Sequence, residues 1–172
     1  MSDEVEFFDL VDELDNVIGK ATREEVHELG LLHRSAHLLV FNSLDQVLLQ
    51  RRSPEKDTFP GMWCSSVSGH LDSGEDYDEC VIRESLEEIG LKLRSVPERI
   101  FKIEACEGTG NEFSQVYRVK DEGPFSINKD EISEIRWFDV ADLDESTMHA
   151  SGDFSRPFAM VWSRFVEGRF GS

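Results

Sequence analysis

The stretch GHLDSGEDYDECVIRESLEEIGL, from Gly69 to Leu91, decides how this chain is read. Val67 and Ser68 end a strand in front of it, and Gly69 and Gly74 mark a turn. The spacing then predicts a helix from about Asp76 to Ile89, stopped by Gly90 in the left-handed position that glycine fills most cheaply. On such a helix Glu84, Glu87 and Glu88 stand at i, i+3 and i+4 and share one face, with Val81, Ile82, Leu86 and Ile89 expected on the opposite, core-facing side. Carboxylates about 6 Å apart at an effective dielectric of ~20 repel by about 3 kcal/mol per pair, so the arrangement calls for a cation between them. Hard carboxylate oxygens suit Mg²⁺ or Mn²⁺. A solvated acidic face is the ordinary meaning of three glutamates on a helix, and it is the surrounding spacing that argues otherwise.

Working outward, Gly69, Glu75, Arg83, Glu84, Glu87, Glu88 and Gly90 fill every fixed position of G-x5-E-x7-R-E-U-x-E-E-x-G-U, where U is a bulky aliphatic residue. A chance match is on the order of one in a million at average residue usage. The segment resembles a Nudix box. Leu91 satisfies the second U, and Ser85 departs from the first. The resemblance implies an α/β (α+β) fold, an α/β/α sandwich with a mixed sheet, and a metal-dependent diphosphatase. In it Glu84, Glu87 and Glu88 hold the metal, Arg83 orients them and Glu75 supports the loop.

Composition agrees with one domain over 1–172, its core about 30–168. Thirty-six acidic residues against 18 basic give a net charge of -18, which repels a nucleic-acid duplex and leaves a small polyanion admissible only where metal and local cations reverse the field. Arg51, Arg52 and Lys56, just before the Phe59-Pro60-Gly61-Met62-Trp63 turn, are the candidate cations for a diphosphate; paired arginines at a strand end otherwise read as surface charge. Cys64, Cys80 and Cys106 form no C-x-x-C pair and read as buried free thiols, and the start MSDEVEFF carries neither a basic segment nor a long apolar run. A cytoplasmic protein without a membrane partner is expected; an oligomer is compatible.

The chain in order predicts a hairpin from Glu6–Val11 and VIGKA, and a short helix with a Thr22/Glu25 capping box that Gly30 ends. Central strands follow at Ala36–Asn42 and Gln46–Gln50, then strands at Ile100–Glu104, Glu112–Val119 and Ile135–Phe138, and a helical turn at Asp139–Asp142. A final amphipathic helix carries Phe158, Trp162, Phe165 and Val166, with Met160 and Phe170 off its stripe.

From His27 to Leu71 the chain is similar to the isopentenyl-diphosphate isomerase branch of the same superfamily, through Leu32-His33, Phe41-Asn42, Arg51-Arg52, Lys56, Pro60-Gly61-Met62-Trp63 and Ser66-Val67-Ser68-Gly69-His70. That resemblance assigns His33, His70 and, with a one-residue shift, His27 to a metal, and Glu112 to a catalytic carboxylate. Read by position alone, His27 is a solvated helix residue, and His33 and His37 are hydrogen-bonded strand residues. Ser68 stands where the branch carries its proton-transferring cysteine, and Gly110 replaces another acidic ligand. A serine hydroxyl lacks the accessible pKa of a thiol, so the isomerase chemistry loses a main participant. The expectation is hydrolysis of X-diphosphate-Y, a nucleoside diphosphate linked to another group, on an isomerase-like frame. Prenyl-diphosphate isomerisation and a non-catalytic nucleotide- or metal-binding module are the alternatives. The water-activating base stays open among Glu84, Glu112, Glu131 and Glu134.

Overall fold

The computed structural model describes residues 4–170, apart from the side chains of 145–147 and 170; the ends of the expected domain, and the Phe170 side chain, lie outside the described residues. An antiparallel hairpin of β1 (Phe7–Val11) and β2 (Val17–Thr22) leads into α1 (Arg23–Leu29). The helix starts on the reciprocal Thr22/Glu25 capping box and ends at Gly30, φ 63°. Then come β3 (His33–Phe41), β4 (Gln46–Arg52), the two-residue β5 (Trp63–Cys64), β6 (Val67–His70) and α2 (Tyr77–Ile89). The chain continues through β7 (Glu98–Ile103), β8 (Glu112–Lys120), β9 (Ile132–Asp139), a 3-10 turn at Val140–Asp142, α3 (Glu145–Ser151) and α4 (Arg156–Phe170).

Strand β3 organises the sheet. Along one edge it runs parallel to β8, from His33 opposite Glu112 to Phe41 opposite Lys120. Its other edge is shared: β6 pairs antiparallel with Ser35–Leu38, and β4 pairs only at Val40 and Phe41. From there β4 diverges to pair with β5 and β9, while β7 closes the far side of β8. The sheet therefore forks, and the buried Ser66 hydroxyl splices the fork, accepting from Val40 N at 2.8 Å and donating to Leu48 O. Without that hydroxyl, two main-chain groups at the split would be buried with no partner.

Strict alternation sends side chains to two cores. Ala36, Leu38, Val40 and Leu48 meet α2 through Tyr77, Cys80, Val81 and Ile89. Leu39, Phe41, Val47 and Leu49 meet α4 through Phe158, Val161, Trp162 and Phe165. Each fully buried aliphatic or aromatic side chain contributes about 1.5–3 kcal/mol. The Trp162 indole N–H donates to Leu143 O at 2.7 Å, so its one polar atom is satisfied inside the core. Ser155 starts α4, its hydroxyl accepting from Phe158 N at 3.3 Å, and Pro157 falls in the first turn, where its missing N–H breaks no helix bond. A mixed sheet covered by helices on both faces is the fold the sequence implied.

Two expectations need correction. On α2, Val81 and Ile89 are buried as expected, but Ile82 is at the surface and Leu86 is 55 % exposed, while Ser85 and Glu88 face inward. The core stripe thus runs through Tyr77, Val81, Ser85 and Glu88, adjacent to the carboxylate face rather than opposite it. Ser85 tolerates this because its hydroxyl donates to Val81 O. Cys106 is exposed, unlike Cys64 and Cys80, because it caps the 3-10 turn at Glu107–Thr109 outside the sheet.

Candidate active site

A cavity of about 450 Å³ opens where the strands fork. It is walled by Ser35 and His37 of β3, Arg52 of β4, Cys64 of β5, Ser68–His70 of β6, Glu84, Glu87 and Glu88 of α2, and Glu112 of β8. Helix α2 is aimed by its ends, with Asp76 and Glu79 forming a capping box and Gly90 taking φ 65° at the C-terminus. Gly69 is needed for proximity, since a Cβ there would sit 2.2 Å from Glu84 Cδ.

Arg83 organises the carboxylates. It donates bidentately to Glu75 at 2.7 and 2.8 Å, to Glu84 at 2.7 Å, to Glu87 at 3.1 Å, and to the main-chain oxygen of His70 at 3.1 Å. These are contacts that would let it orient Glu84 and Glu87. Glu88, 6 % exposed, accepts from Gln50 Nε2 at 2.7 Å and Ser68 N at 3.1 Å. Burial pushes the Glu84 carboxyl up to about 7, with Arg83 opposing and the charges of Glu87 and Glu131 adding. Burial and the Glu84 charge raise Glu88 well above the ordinary carboxylate range. Carboxyls in this state gain from a divalent cation, which replaces mutual repulsion with attraction.

A second group of donors lies beside the first. Ring nitrogens of His27, His33 and His70 approach within 4.8 Å of one another. Glu112 Oε1 stands 2.8 Å from His70 Nε2 and 3.4 Å from His33 Nε2. His33 Nδ1 lies 2.8 Å from Leu31 O, an acceptor only, so Nδ1 carries the proton and Nε2 of the neutral ring presents a lone pair. That Nε2 is buried and has no hydrogen-bond partner. An orphaned lone pair facing a carboxylate oxygen is unfavourable by itself and is relieved by a cation between them, so the donors fit a divalent metal, with nitrogen ligands favouring Mn²⁺ over Mg²⁺. Burial alone would raise Glu112, but protonated rings at His70 and His33, the alternative to a metal among these donors, outweigh it and hold the carboxyl well below its usual range. Phe8 of the hairpin stacks on His70, with ring centroids 4.8 Å apart, and on His33 at 5.8 Å. His27 is exposed, as its position suggests, and α1 nevertheless carries its ring to the other two imidazoles.

The expected cations separate. Arg52 lines the cavity and is braced by Thr58, Nε donating to its carbonyl at 2.8 Å. Lys56 also lines it, paired with Glu131. Arg51 does not: strand alternation turns it to the other face, where Nε donates to Gly61 O at 2.9 Å and Glu134 lies 4.0 Å away. Sequence reading missed Arg23, which lines the cavity from the start of α1 while pairing with Glu6 at 3.2 Å and Asp57 at 3.4 Å. No local signal marks it, because its approach depends on how the hairpin packs. Ser68 faces the cavity. Gly110 closes the 3-10 turn at φ 74° and carries no ligand. His37, expected as a structural residue, contacts Ser65 Oγ at 2.9 Å and is pushed down to about 4 by burial, so it stays neutral.

Comparison with known proteins agrees with this geometry. Residues 31–158 match the family described as NUDIX domain. The chain is 30 % identical to an isopentenyl-diphosphate Delta-isomerase of Paenarthrobacter aurescens, over 92 % of this chain and 89 % of that one. It is 33 % identical to a prenyl-diphosphate phosphatase of Methanosarcina mazei, over 84 % and 86 % of the two chains. A crystal structure of a protein from Deinococcus radiodurans superposes with a TM-score of 0.83 at 28 % identity, covering 92 % of this chain and 98 % of that one. The family match covers most of the chain, including the glutamate helix, the forked strands and the first turn of α4, and the protein is a member of the Nudix hydrolase family.

Proposed function

We propose that the protein hydrolyses a P–O–P bond in a small substrate of the form X-diphosphate-Y, a nucleoside diphosphate joined to another group, with Mg²⁺ or Mn²⁺ as cofactor. The observation that carries this is the complete carboxylate set Glu84, Glu87 and Glu88, the first two held by Arg83 and the third by Gln50 and Ser68, on one wall of a cavity that also holds Arg23, Arg52 and Lys56. A divalent cation on those carboxylates would supply charge neutralisation at phosphorus and a more acidic attacking water. Arg83 holds the carboxylates in register, Arg52 and Lys56 neutralise substrate oxygens, and Gly69 keeps the strand close to Glu84. Among the described residues no helix is long and apolar enough to cross a membrane.

A second reading, action on a prenyl diphosphate, is favoured by the three histidines with Glu112 and by the activities for which the two relatives are named. Isomerisation requires one group to protonate a carbon and another to deprotonate one. Glu112 could serve once, but the Ser68 hydroxyl has neither an acidic enough proton nor a stable anion for the other step. Hydrolysis of a prenyl diphosphate needs no such residue. The test is phosphate release from a panel of nucleoside diphosphate derivatives and prenyl diphosphates with Mg²⁺ or Mn²⁺, with isopentenyl diphosphate run in parallel in deuterated water. Phosphorus products from the panel are expected. Deuterium entering prenyl carbons with no phosphorus product from any substrate would overturn hydrolysis.

A further inference from the structure

We infer that Glu131 is the general base that takes the proton from the attacking water, and that Lys56 holds it until substrate arrives; this rests on the hydrolase reading above. The glutamate sits just before β9, on a segment pinned by main-chain bonds at three places. Asn128 N donates to Glu88 O at 2.8 Å, Glu131 N to Asn128 O at 3.0 Å, and Ser53 N to Glu131 O at 2.9 Å. These bonds tie the segment to the C-terminal end of α2 and to the end of β4 beyond Arg52, and Ile132, buried next door, anchors it from below. Glu131 is thereby held at a defined place on the wall of the cavity that the box carboxylates also line, and its charge acts on both Glu84 and Glu88.

The other carboxylates considered for the role are already engaged. Glu84 is bound by Arg83, and Glu112 lies between His70 and His33. Glu134 turns away from the cavity, accepting from Arg136 and lying 4.0 Å from Arg51. Glu88 is buried and accepts from Gln50 and Ser68. Of the cavity carboxylates near α2, Glu131 is distinguished by its partner, a flexible ammonium group that a diphosphate must itself attract. Substrate oxygens entering beside Arg52 compete for the Lys56 N–H groups and leave a Glu131 oxygen free for water. In the step itself a water O–H bond breaks, its proton goes to Glu131 Oε, and the oxygen forms the new O–P bond. The bridging P–O bond breaks, and its electron pair leaves on the departing phosphate oxygen.

The experiment measures steady-state phosphate release by wild type, Glu131→Gln, Glu131→Ala with and without formate, Lys56→Ala and Glu134→Gln, with Mn²⁺ and the best substrate of the panel. Glu131→Gln should lower kcat by about 10²–10⁴-fold with KM nearly unchanged. Formate should restore Glu131→Ala several-fold, Lys56→Ala should act mainly on KM, and Glu134→Gln should match wild type. Wild-type kcat in Glu131→Gln overturns the assignment while leaving hydrolysis standing. So does a loss of activity in Glu131→Ala that formate does not restore, since a merely structural residue would behave in that way. A wild-type protein that releases no phosphate from any substrate overturns the hydrolase reading itself, and the assignment with it.

Discussion

Replacing Glu84 by glutamine tests whether the carboxylate wall is strained without metal. Burial, partly offset by Arg83 and reinforced by Glu87 and Glu131, moves the Glu84 carboxyl from 4.5 to about 7. Above pH 7 the folded state carries a charge it would rather neutralise, and a displacement of this size corresponds to about 3 kcal/mol of lost stability. As pH falls through 7 the folded state binds a proton before the unfolded chain does, so wild type regains stability until about pH 4.5, where both states are protonated. Glutamine removes the charge while its oxygen still accepts from Arg83, less strongly, so a gain of about 2 kcal/mol is expected at pH 8. For a chain of this length that raises Tm by roughly 4–8 °C. The assay is thermal unfolding of Glu84→Gln and wild type in EDTA at pH 8 and pH 5, then with saturating Mn²⁺. The variant should be more stable at pH 8, equal at pH 5, and less stable than wild type once metal is added, because wild type alone gains the full binding energy. A variant no more stable than wild type at pH 8, or one equally stabilised at both pH values, would refute the strain.

Gly69→Ala places a methyl 2.2 Å from Glu84 Cδ, so the strand or the glutamate must move; a stability loss of about 1–3 kcal/mol by chemical denaturation and a marked fall in kcat are expected. Arg52→Ala should raise KM about 10-fold, the worth of a charge-assisted contact of ~1.5 kcal/mol, while Arg51→Ala, on the opposite face, should leave steady-state kinetics near wild type. His33→Ala and Glu112→Gln should each weaken Mn²⁺ binding measured by titration calorimetry by at least about 10-fold; unchanged binding in both would remove the histidine site.

Much was legible in the residues alone where the controlling physics is local. The Thr22/Glu25 box, the stops at Gly30 and Gly90, the i, i+3, i+4 glutamates and the apolar stripe of α4 depend on hydrogen bonds and side-chain spacing within a few residues. Continuous apolar, β-favouring runs likewise marked β3 and β4 as central strands. What only tertiary structure decided is which faces meet. Strand parity separates Arg52 from Arg51, and the closeness of α2 to β6 turns Ser85 and Glu88 inward in place of Leu86. The packing of the hairpin and α1 brings Arg23, His27 and Phe8 to His33, His70 and Glu112, and the pinned segment before β9 brings Glu131 to the box carboxylates. These contacts join residues tens of positions apart, and they depend on register and on the fork in the sheet. No local propensity encodes either, because each comes from burying two cores on one sheet at once.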